Sequence, residues 1–495
     1  MNMDNDSDIN FNNKKKTFFG QPRGLSTLFF TEMWERFSYY SMHAILLFYL
    51  IDNARNGGLG MDTPTATSIV AIYGALIYMS SVIGGFVSDR ILGAQRSVFW
   101  GGVLIAIGNF LLVLPLKFIG LYTSIIIIVL GTGFLKPNTS DMVGGLYSKT
   151  DTRRDAGFNI YYMGINIGAL LAPFIVGWIG QSYSYHLGFA LSTIGMILGL
   201  IQYSLGRKKY LKTDGLKPGD PIKPAEKGKV LRQIVLILFL IIGGLILMAV
   251  TNTLNVNNII FIITILGVLL PIIYFINIFR SPKITAKDRQ NVLAYIVIFV
   301  ASVFFWSIFE QIMTIFPLVA QQMTNLSILG LNIKPSQFTG FNALFVLIYS
   351  PFIASIWTKM GDHQPSSTTK FTIGLLSSAF SFLILLVPIS LYGIGAMFSA
   401  WWLILGIAIV EIGEVLLSPA GLSLTTKLAP KAFTAQMMSI WYLGDAAAQS
   451  FNAQLVKMYT VNNAPIYFGV MGLIALGIAF VLFLMHKKIA NLIKL

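Results

Sequence analysis

The chain has 495 residues, 55% hydrophobic and 11% charged, where a soluble domain carries roughly 45–50% apolar and about 25% charged residues. With a mean hydropathy of +0.72, these figures exclude a soluble multidomain enzyme, a disordered chain, a collagen and a coiled coil, and leave a polytopic membrane protein. Lys and Arg exceed Asp and Glu by 35 to 20, but the bases sit in loops between apolar runs, which indicates membrane topology and not nucleic acid. The 45 Gly fit a membrane chain. The absence of Cys excludes a disulfide framework and thiol chemistry.

In chain order, residues 1–16 are polar and lack an apolar h-region, so no cleavable signal peptide is expected and the first span should direct insertion. About fourteen segments are long and apolar enough to span as helices, near 24–51, 66–88, 97–116, 121–146, 156–180, 187–206, 232–251, 257–279, 291–323, 337–358, 370–391, 397–427, 432–457 and 464–486. Helices are expected throughout because lipid offers no partner to an unpaired backbone. An even number of spans puts both termini on one side. That side carries 29 Lys/Arg, from Lys14, Lys15 and Lys16 through Lys149 and Lys212 to Lys494. The other side carries Arg55, Lys117, Lys334 and Lys457, and Arg36 and Lys136 fall inside spans. The positive-inside rule therefore predicts cytoplasmic termini and a multi-pass cell-membrane protein.

The layout predicts a cytoplasmic tail over 1–23, a six-span bundle over 24–206 and a basic linker over 207–231. An inserted hairpin follows over 232–282, then a second six-span bundle over 283–490 and a short tail over 491–495. The linker, rich in Lys and holding Pro218, Pro221 and Pro224, reads as a flexible connector. Neither hairpin span contains an ionisable residue. Two six-helix halves joined by a basic loop suggest the major facilitator architecture. An internal echo supports it: Asp89-Arg90 closes the second span of one half, and Lys359-Met360-Gly361-Asp362 closes that of the other.

Five of the six Glu (Glu32, Glu35, Glu310, Glu411, Glu414) and Asp445 lie in apolar segments. An ionisable group at the bilayer centre costs about 2.5–3.5 kcal/mol on insertion scales, so such residues normally face a cavity and mark a transport path. A single one can be a structural ion pair; six acids against Arg36 and Lys136 leave a charge of −4 if all ionise, and proton exchange is expected. On the first span Glu32, Arg36, Tyr39 and His43 share one helical stripe, flanked by Glu35 and Tyr40. An i,i+4 pair explains Glu32 with Arg36 alone. In Gly131-Thr132-Gly133-Phe134-Leu135-Lys136-Pro137-Asn138, Pro137 breaks the hydrogen-bond ladder beside a buried ammonium and the glycines permit close helix approach. The tenth core span repeats the device with Glu411, Glu414 and Pro419. Pro-interrupted spans carrying charge point to a binding site. Asp89, Arg90, Pro137 and Pro419 are read as gate or structural positions.

Glu32-Met33-Trp34-Glu35-Arg36-Phe37-Ser38-Tyr39-Tyr40 resembles the span-one signature ExxERFxYY of the proton-dependent oligopeptide transporter family. Phe158 to Leu170 resembles the family's second signature, FYxxINxGSL, with changes at both ends. Gly131 to Asn138, Trp306 to Glu310 and Glu414 to Pro430 are also similar to family segments, and the inserted hairpin resembles bacterial members. The resemblance implies proton-coupled symport of di- and tripeptides, by extension peptide-like drugs, across a bacterial plasma membrane by alternating access. It implies that Arg36 and Lys136 hold the peptide carboxylate and Glu414 its amino group, with Asn166 and Asn342 helping. Tyr39, Tyr40, Tyr78, Trp306 and Trp441 would line the pocket, and packing alone is the competing reading for each aromatic. Glu32, Glu35, Arg36, Glu310 and His43 would take part in proton coupling, Glu310 also in peptide binding. The chain departs from the pattern at His43, where many bacterial relatives have Arg, and at Phe309, where some have a second Glu. A neutral, packed His43 stands against a pH-dependent His43–Glu310 gate contact. For Asp445 a structural hydrogen bond is the expectation.

A proton-coupled drug antiporter of the same superfamily would explain the acids but not the full span-one motif. A transporter-derived receptor would need a signalling domain, and the central loop is too short. His43, His186, His363 and His486 are scattered, and no nucleophile triad or phosphate loop is present. No enzyme activity, cofactor, metal, nucleic acid or obligate protein partner is therefore expected.

Overall fold

The computed structural model describes residues 17–148, 151, 153–211 and 215–494. The charges read at Lys14, Lys15, Lys16, Lys149 and Lys212 lie outside the described residues, as do the side chains of Asp362 and of the 491–495 tail. Among the described residues the regular structure is helical apart from an isolated bridge at Phe18 and Gln21 and two-residue strand pairs: Thr324–Asn325 runs parallel to Phe398–Ser399, and Ser327–Ile328 pairs with Leu331–Asn332.

The first half comprises α1 (Gly24–Ile51), α2 (Thr63–Val87), α3 (Ala94–Val113), α4 (Lys117–Gly145), α5 (Arg154–Ala172) and α6 (Tyr185–Gly206). The hairpin is α7 (Pro224–Val250) and α8 (Val256–Arg280). The second half comprises α9 (Ala286–Phe309), α10 (Gly340–Met360), α11 (Ser367–Leu383), α12 (Ala400–Leu428), α13 (Thr434–Leu455) and α14 (Ala464–Lys494). Among the described residues, twelve of these are long and apolar enough to cross a membrane. The other two are α1, with Glu32, Glu35 and Arg36, and α13, with Asp445, Gln449 and Asn452. At 28 and 22 residues they are also long enough, roughly 42 and 33 Å against a hydrocarbon core of about 30 Å. The fourteen segments read from the sequence are consistent with this count.

Several spans are less regular than the hydropathy suggests. The stretch read as one helix over 291–323 breaks at a 3-10 turn, Glu310–Met313, and resumes as Ile315–Met323. The one over 370–391 breaks after Leu383. Pro173 opens a wide turn, Pro173–Gly177, after which the helix continues through Trp178–Ser182. Hydropathy reports burial in lipid, and a broken helix surrounded by protein is as apolar as a straight one.

Helices approach through glycine. Pro137 leaves the Gly133 carbonyl without its helical donor, and that carbonyl lies against Gly84 of α2; Gly131 faces Gly101 of α3. In the second half Gly374 faces Gly413, and Gly421 seats the ring of Trp441. Small residues let backbones pack where the hydrophobic effect gives no drive between helices.

We call the end bearing most Lys and Arg the basic face. At the opposite face the halves meet: Gln181 Oε1 accepts from Ser336 N at 3.1 Å, and Gln337 Nε2 donates to Phe174 O at 3.2 Å. Ser68 Oγ, on α2, donates to Ala453 O on α13 at 2.7 Å. Within the hairpin, α8 packs on α13 through Thr264 Oγ1 to Ser450 O, 3.1 Å, while α7 buries no residue.

The described part of the central linker is not free. Gln95 N donates to Gly215 O at 2.9 Å and Asp220 N to Asp89 O at 3.0 Å. Arg90 pairs with both Asp220 and Glu226. The flexible connector expected from composition is corrected here: the loop is tied back onto the end of α2. The reason is acidic residues placed among its lysines, a pairing that composition averages away.

Candidate functional site

The site starts on α1. Arg36 Nε lies 3.1 Å from Glu32 Oε1, one turn back, and 2.6 Å from Glu35 Oε2. All three side chains are buried. The second Glu32 oxygen accepts from Thr139 Oγ1 at 2.8 Å, and Tyr161 OH donates to that hydroxyl at 2.9 Å. Three helices, α1, α4 and α5, thus converge on one carboxylate. Among the described residues Arg36 Nη2 has no hydrogen-bond partner, so one guanidinium edge is unspent beside the Tyr39 ring, whose centroid is 5.2 Å from the guanidinium carbon.

Lys136 is on α4, one residue before Pro137. Its ammonium sits 3.9 Å from the centroid of the Tyr78 ring, a cation–π contact of the desolvated kind. The Tyr78 ring and the Asp445 carboxylate are neighbours, and Asp445 is also a charged neighbour of Lys136. Gln449 Nε2 completes Asp445 at 3.2 Å. Asp445 thus makes the structural hydrogen bond expected of it and also stands among the charged groups that bring α2, α4 and α13 together. Glu310, at the break after α9, has Asp445 and Lys136 as its charged neighbours.

In the second half Asn342 Nδ2 donates to Glu411 Oε1 at 2.5 Å, while Glu411 Oε2 has no partner among the described residues. Glu414, one turn on, accepts from Ser418 Oγ at 3.3 Å and lines a cavity of about 580 Å³. The cavity runs toward the basic face between Asn159 and Tyr162 of α5, Ser350 and Trp357 of α10, Lys370 of α11 and Pro419 of α12. Its size suits a small organic ligand.

The remaining sequence candidates divide. Tyr39 and Tyr40 meet edge to face at 5.0 Å beside Arg36. Asn166 is buried with its amide nitrogen on the Tyr162 carbonyl, 3.0 Å. Trp306 is half-buried and packs on Phe305 and Phe309. Trp441 is buried against Gly421 and Phe371 and is not among the residues lining the cavity. His43 lies between the rings of Tyr39 (4.5 Å) and Tyr73 (4.9 Å), and among the described residues neither ring nitrogen has a partner. The conjectured His43–Glu310 contact is not formed, and the packed histidine is what this conformation holds. Lys136 and Glu414 are likewise unpaired with each other. Asp89 and Arg90 sit at the basic-face end of α2, where Arg90 holds the linker.

Thr139, Tyr161 and the proximity of Asp445 to Tyr78 escaped the sequence reading. Thr139 falls one turn beyond Lys136 and Tyr161 inside the second signature, so both lay in the right segments. Nothing in a single chain says which hydroxyl on one helix meets which carboxylate on another.

A multi-span fold with two facing bundles, a buried charge cluster and a central cavity defines a membrane transporter. The profile described as the POT family matches residues 95–474, and the chain belongs to that family. It is similar to the "Di-/tripeptide transporter" of Lactococcus lactis subsp. cremoris, 44% identical over 490 residues, covering 98% of this chain and 99% of that one. It is also similar to the "Uncharacterized transporter YclF" of Bacillus subtilis (strain 168), 46% identical over 481 residues, 97% of this chain and 96% of that one. Among solved structures it resembles the peptide transporter POT in complex with sulfate, with a TM-score of 0.94 and 47% identity over 96% of this chain and 97% of that one. A POT family transporter in complex with 5-aminolevulinic acid gives a TM-score of 0.92 and 42% identity, covering 96% and 98%.

Proposed function

We propose that this protein is a proton-coupled symporter that imports di- and tripeptides across the bacterial plasma membrane by alternating access, with both termini cytoplasmic. The observation that carries the proposal is the separation of poles: the buried cations Arg36 and Lys136 belong to one bundle and Glu414 to the other, and a cavity reaches Glu414 from the basic face. A zwitterionic peptide needs one cation pole and one anion pole separated by room for variable side chains. The unspent Arg36 Nη2 and the Lys136 ammonium are suited to the peptide carboxylate, and Glu414 to its amino group. Asn166 and Asn342, whose amides hold the Tyr162 carbonyl and Glu411, are the proposed helpers. Tyr162 and Trp357 are the aromatic residues lining the cavity, while Tyr39 and Tyr78 stand over the buried cations; with Tyr40 and Trp306 they are the proposed aromatic contacts that accept many side chains, peptide-like drugs included.

The proton half follows from charge balance. Glu32, Glu35, Glu310, Glu411, Glu414 and Asp445 outnumber Arg36 and Lys136, and an excess of buried carboxylates in a low-dielectric site is relieved by a proton or a bound ammonium. Glu310, at the helix break and beside Asp445 and Lys136, is the proposed exchange point; Glu32 and Glu35 hold Arg36 ready. Contacts between the halves at the opposite face, with the cavity on the basic face, correspond to an inward-facing state.

The test is uptake of labelled dialanine by proteoliposomes under an imposed inward proton gradient. Accumulation that collapses when the gradient is dissipated is the expected result. Dialanine movement indifferent to the gradient, or proton-driven export of a hydrophobic cation in its place, would overturn the reading.

A further inference from the structure

A second recess lies on the outer, membrane-facing side of the second bundle, away from the peptide cavity. It is a groove of about 540 Å³ between α9 and α14, lined wholly by apolar residues that include Ile296, Val300, Ile474, Gly477 and Val481. Nothing stands within 4 Å of where a Cβ on Gly477 would be, so the groove floor is open. The stripe of α9 that lines it runs 300, 296, 293, 289 toward the basic face, and that of α14 runs 474, 478, 481, 484, 488, both at helical spacing. Leu293 and Leu484 continue the apolar surface and are exposed. Each stripe then ends on an exposed cation, Arg289 and Lys488. Both lie seven residues past the last lining residue, Ile296 or Val481, roughly 10 Å at 1.5 Å per residue.

That spacing matches a phospholipid. The polar headgroup layer begins at the edge of a hydrocarbon core of about 30 Å and adds roughly 5–8 Å on each side. A groove within the core with cations about 10 Å beyond its rim offers a bed for an acyl chain and a counter-charge for its phosphate. Lys287 and Lys487, also exposed, adjoin the two stripe ends. The one acid among them, Asp288, is committed to the helix cap, accepting from Thr285 N and Thr285 Oγ1 at 2.8 Å. The cluster is therefore net positive, as basic recesses between spanning helices that hold anionic headgroups are.

We propose that this groove is a binding site for one anionic diacyl phospholipid, its chain along Gly477 and its phosphate between Arg289 and Lys488. The experiment is native mass spectrometry of the full chain in detergent with added phosphatidylglycerol or phosphatidylcholine. The parent should retain phosphatidylglycerol preferentially. The double variant Arg289→Gln/Lys488→Gln should lose that preference by about tenfold or more, two juxtamembrane charges being removed, whereas Lys227→Gln/Lys229→Gln, on the unpacked α7, should keep it. Gly477→Trp should fill the groove and lower retention of both lipids, its fold verified by an unchanged melting temperature in detergent without lipid. Equal retention by the parent and the Arg289/Lys488 variant, full retention by a folded Gly477→Trp, or a second copy of the chain protecting the groove would each overturn the proposal.

Discussion

Two buried cations are treated differently by their own helices. Arg36 finds Glu32 and Glu35 on α1 itself, whereas Lys136 makes no ion pair with Asp141, the acid of its own helix, among the described residues, and rests on Tyr78 with Asp445 across a helix boundary. Removing one partner of a buried charge cluster costs about 3–5 kcal/mol because the other charge is stranded. Lys136→Ala should therefore abolish gradient-driven dialanine uptake, measured in proteoliposomes. Among the described residues Glu414 has one hydrogen-bond partner, Ser418 at 3.3 Å, which leaves its carboxylate able to take an ammonium. Glu414→Gln should weaken free peptides at least tenfold while leaving N-acetylated ones unaffected; equal losses in a competition assay would remove it from the amino-group site. Glu310→Gln should retain peptide counterflow, which moves no net proton, and lose uphill transport. Concentrative uptake by this variant would take Glu310 off the proton path.

At the scale of elements, the break after α9 is what turns Glu310 toward its charged neighbours. A polar knot holds the break. Tyr467 OH donates to Gln311 Oε1 at 2.7 Å, and Gln311 Nε2 donates to Ser307 O at 3.0 Å. Ser307 Oγ donates to Asn452 Oδ1 at 2.6 Å, and Asn452 Nδ2 returns a bond to Ser307 O at 2.9 Å. The knot is buried and joins α9, α13 and α14. Gln311→Leu leaves Tyr467 OH without an acceptor, and an orphaned buried group costs about 1–3 kcal/mol. A lower melting temperature in detergent is expected, with a larger loss of uphill transport than of counterflow. The α2–α4 crossing gives a separate prediction. A side chain at Gly84 would run into the Gly133 and Phe134 backbone, which cannot yield as a flexible side chain would. Gly84→Val should cost about 1–3 kcal/mol by overpacking, seen as a lower melting temperature than that of Gly85→Val, where the space is open.

For the whole molecule the decisive feature is asymmetry between its two ends. The halves touch at the face away from the basic loops and part at the basic face, where the cavity opens. The absence of cysteine makes this directly measurable. Ala354→Cys, on the cavity wall of α10, should react with an impermeant thiol reagent applied from the cytoplasmic side, and dipeptide should slow the reaction several-fold. Labelling from the external side alone would reverse both the orientation and the resting state. The Arg90 clamp on Asp220 and Glu226 adds that the linker moves with the end of α2, so the first bundle and the start of the hairpin are mechanically joined.

The class of protein, its span count and its buried charges were legible in the chain because each is a local property: twenty apolar residues announce a span, and an acid within one announces its cost. The span-one stripe was likewise legible, since helical periodicity alone puts Glu32, Arg36 and Tyr39 on one side. Tertiary structure decided which charges meet. Asp445 and Tyr78 stand beside Lys136, Thr139 bonds the free oxygen of Glu32 with Tyr161 donating to the Thr139 hydroxyl, and His43 is packed between two tyrosines instead of reaching Glu310. It also decided where spans break and that the linker is clamped. Those outcomes depend on contacts between residues far apart in sequence, and hydropathy and periodicity carry no information on which helix faces which.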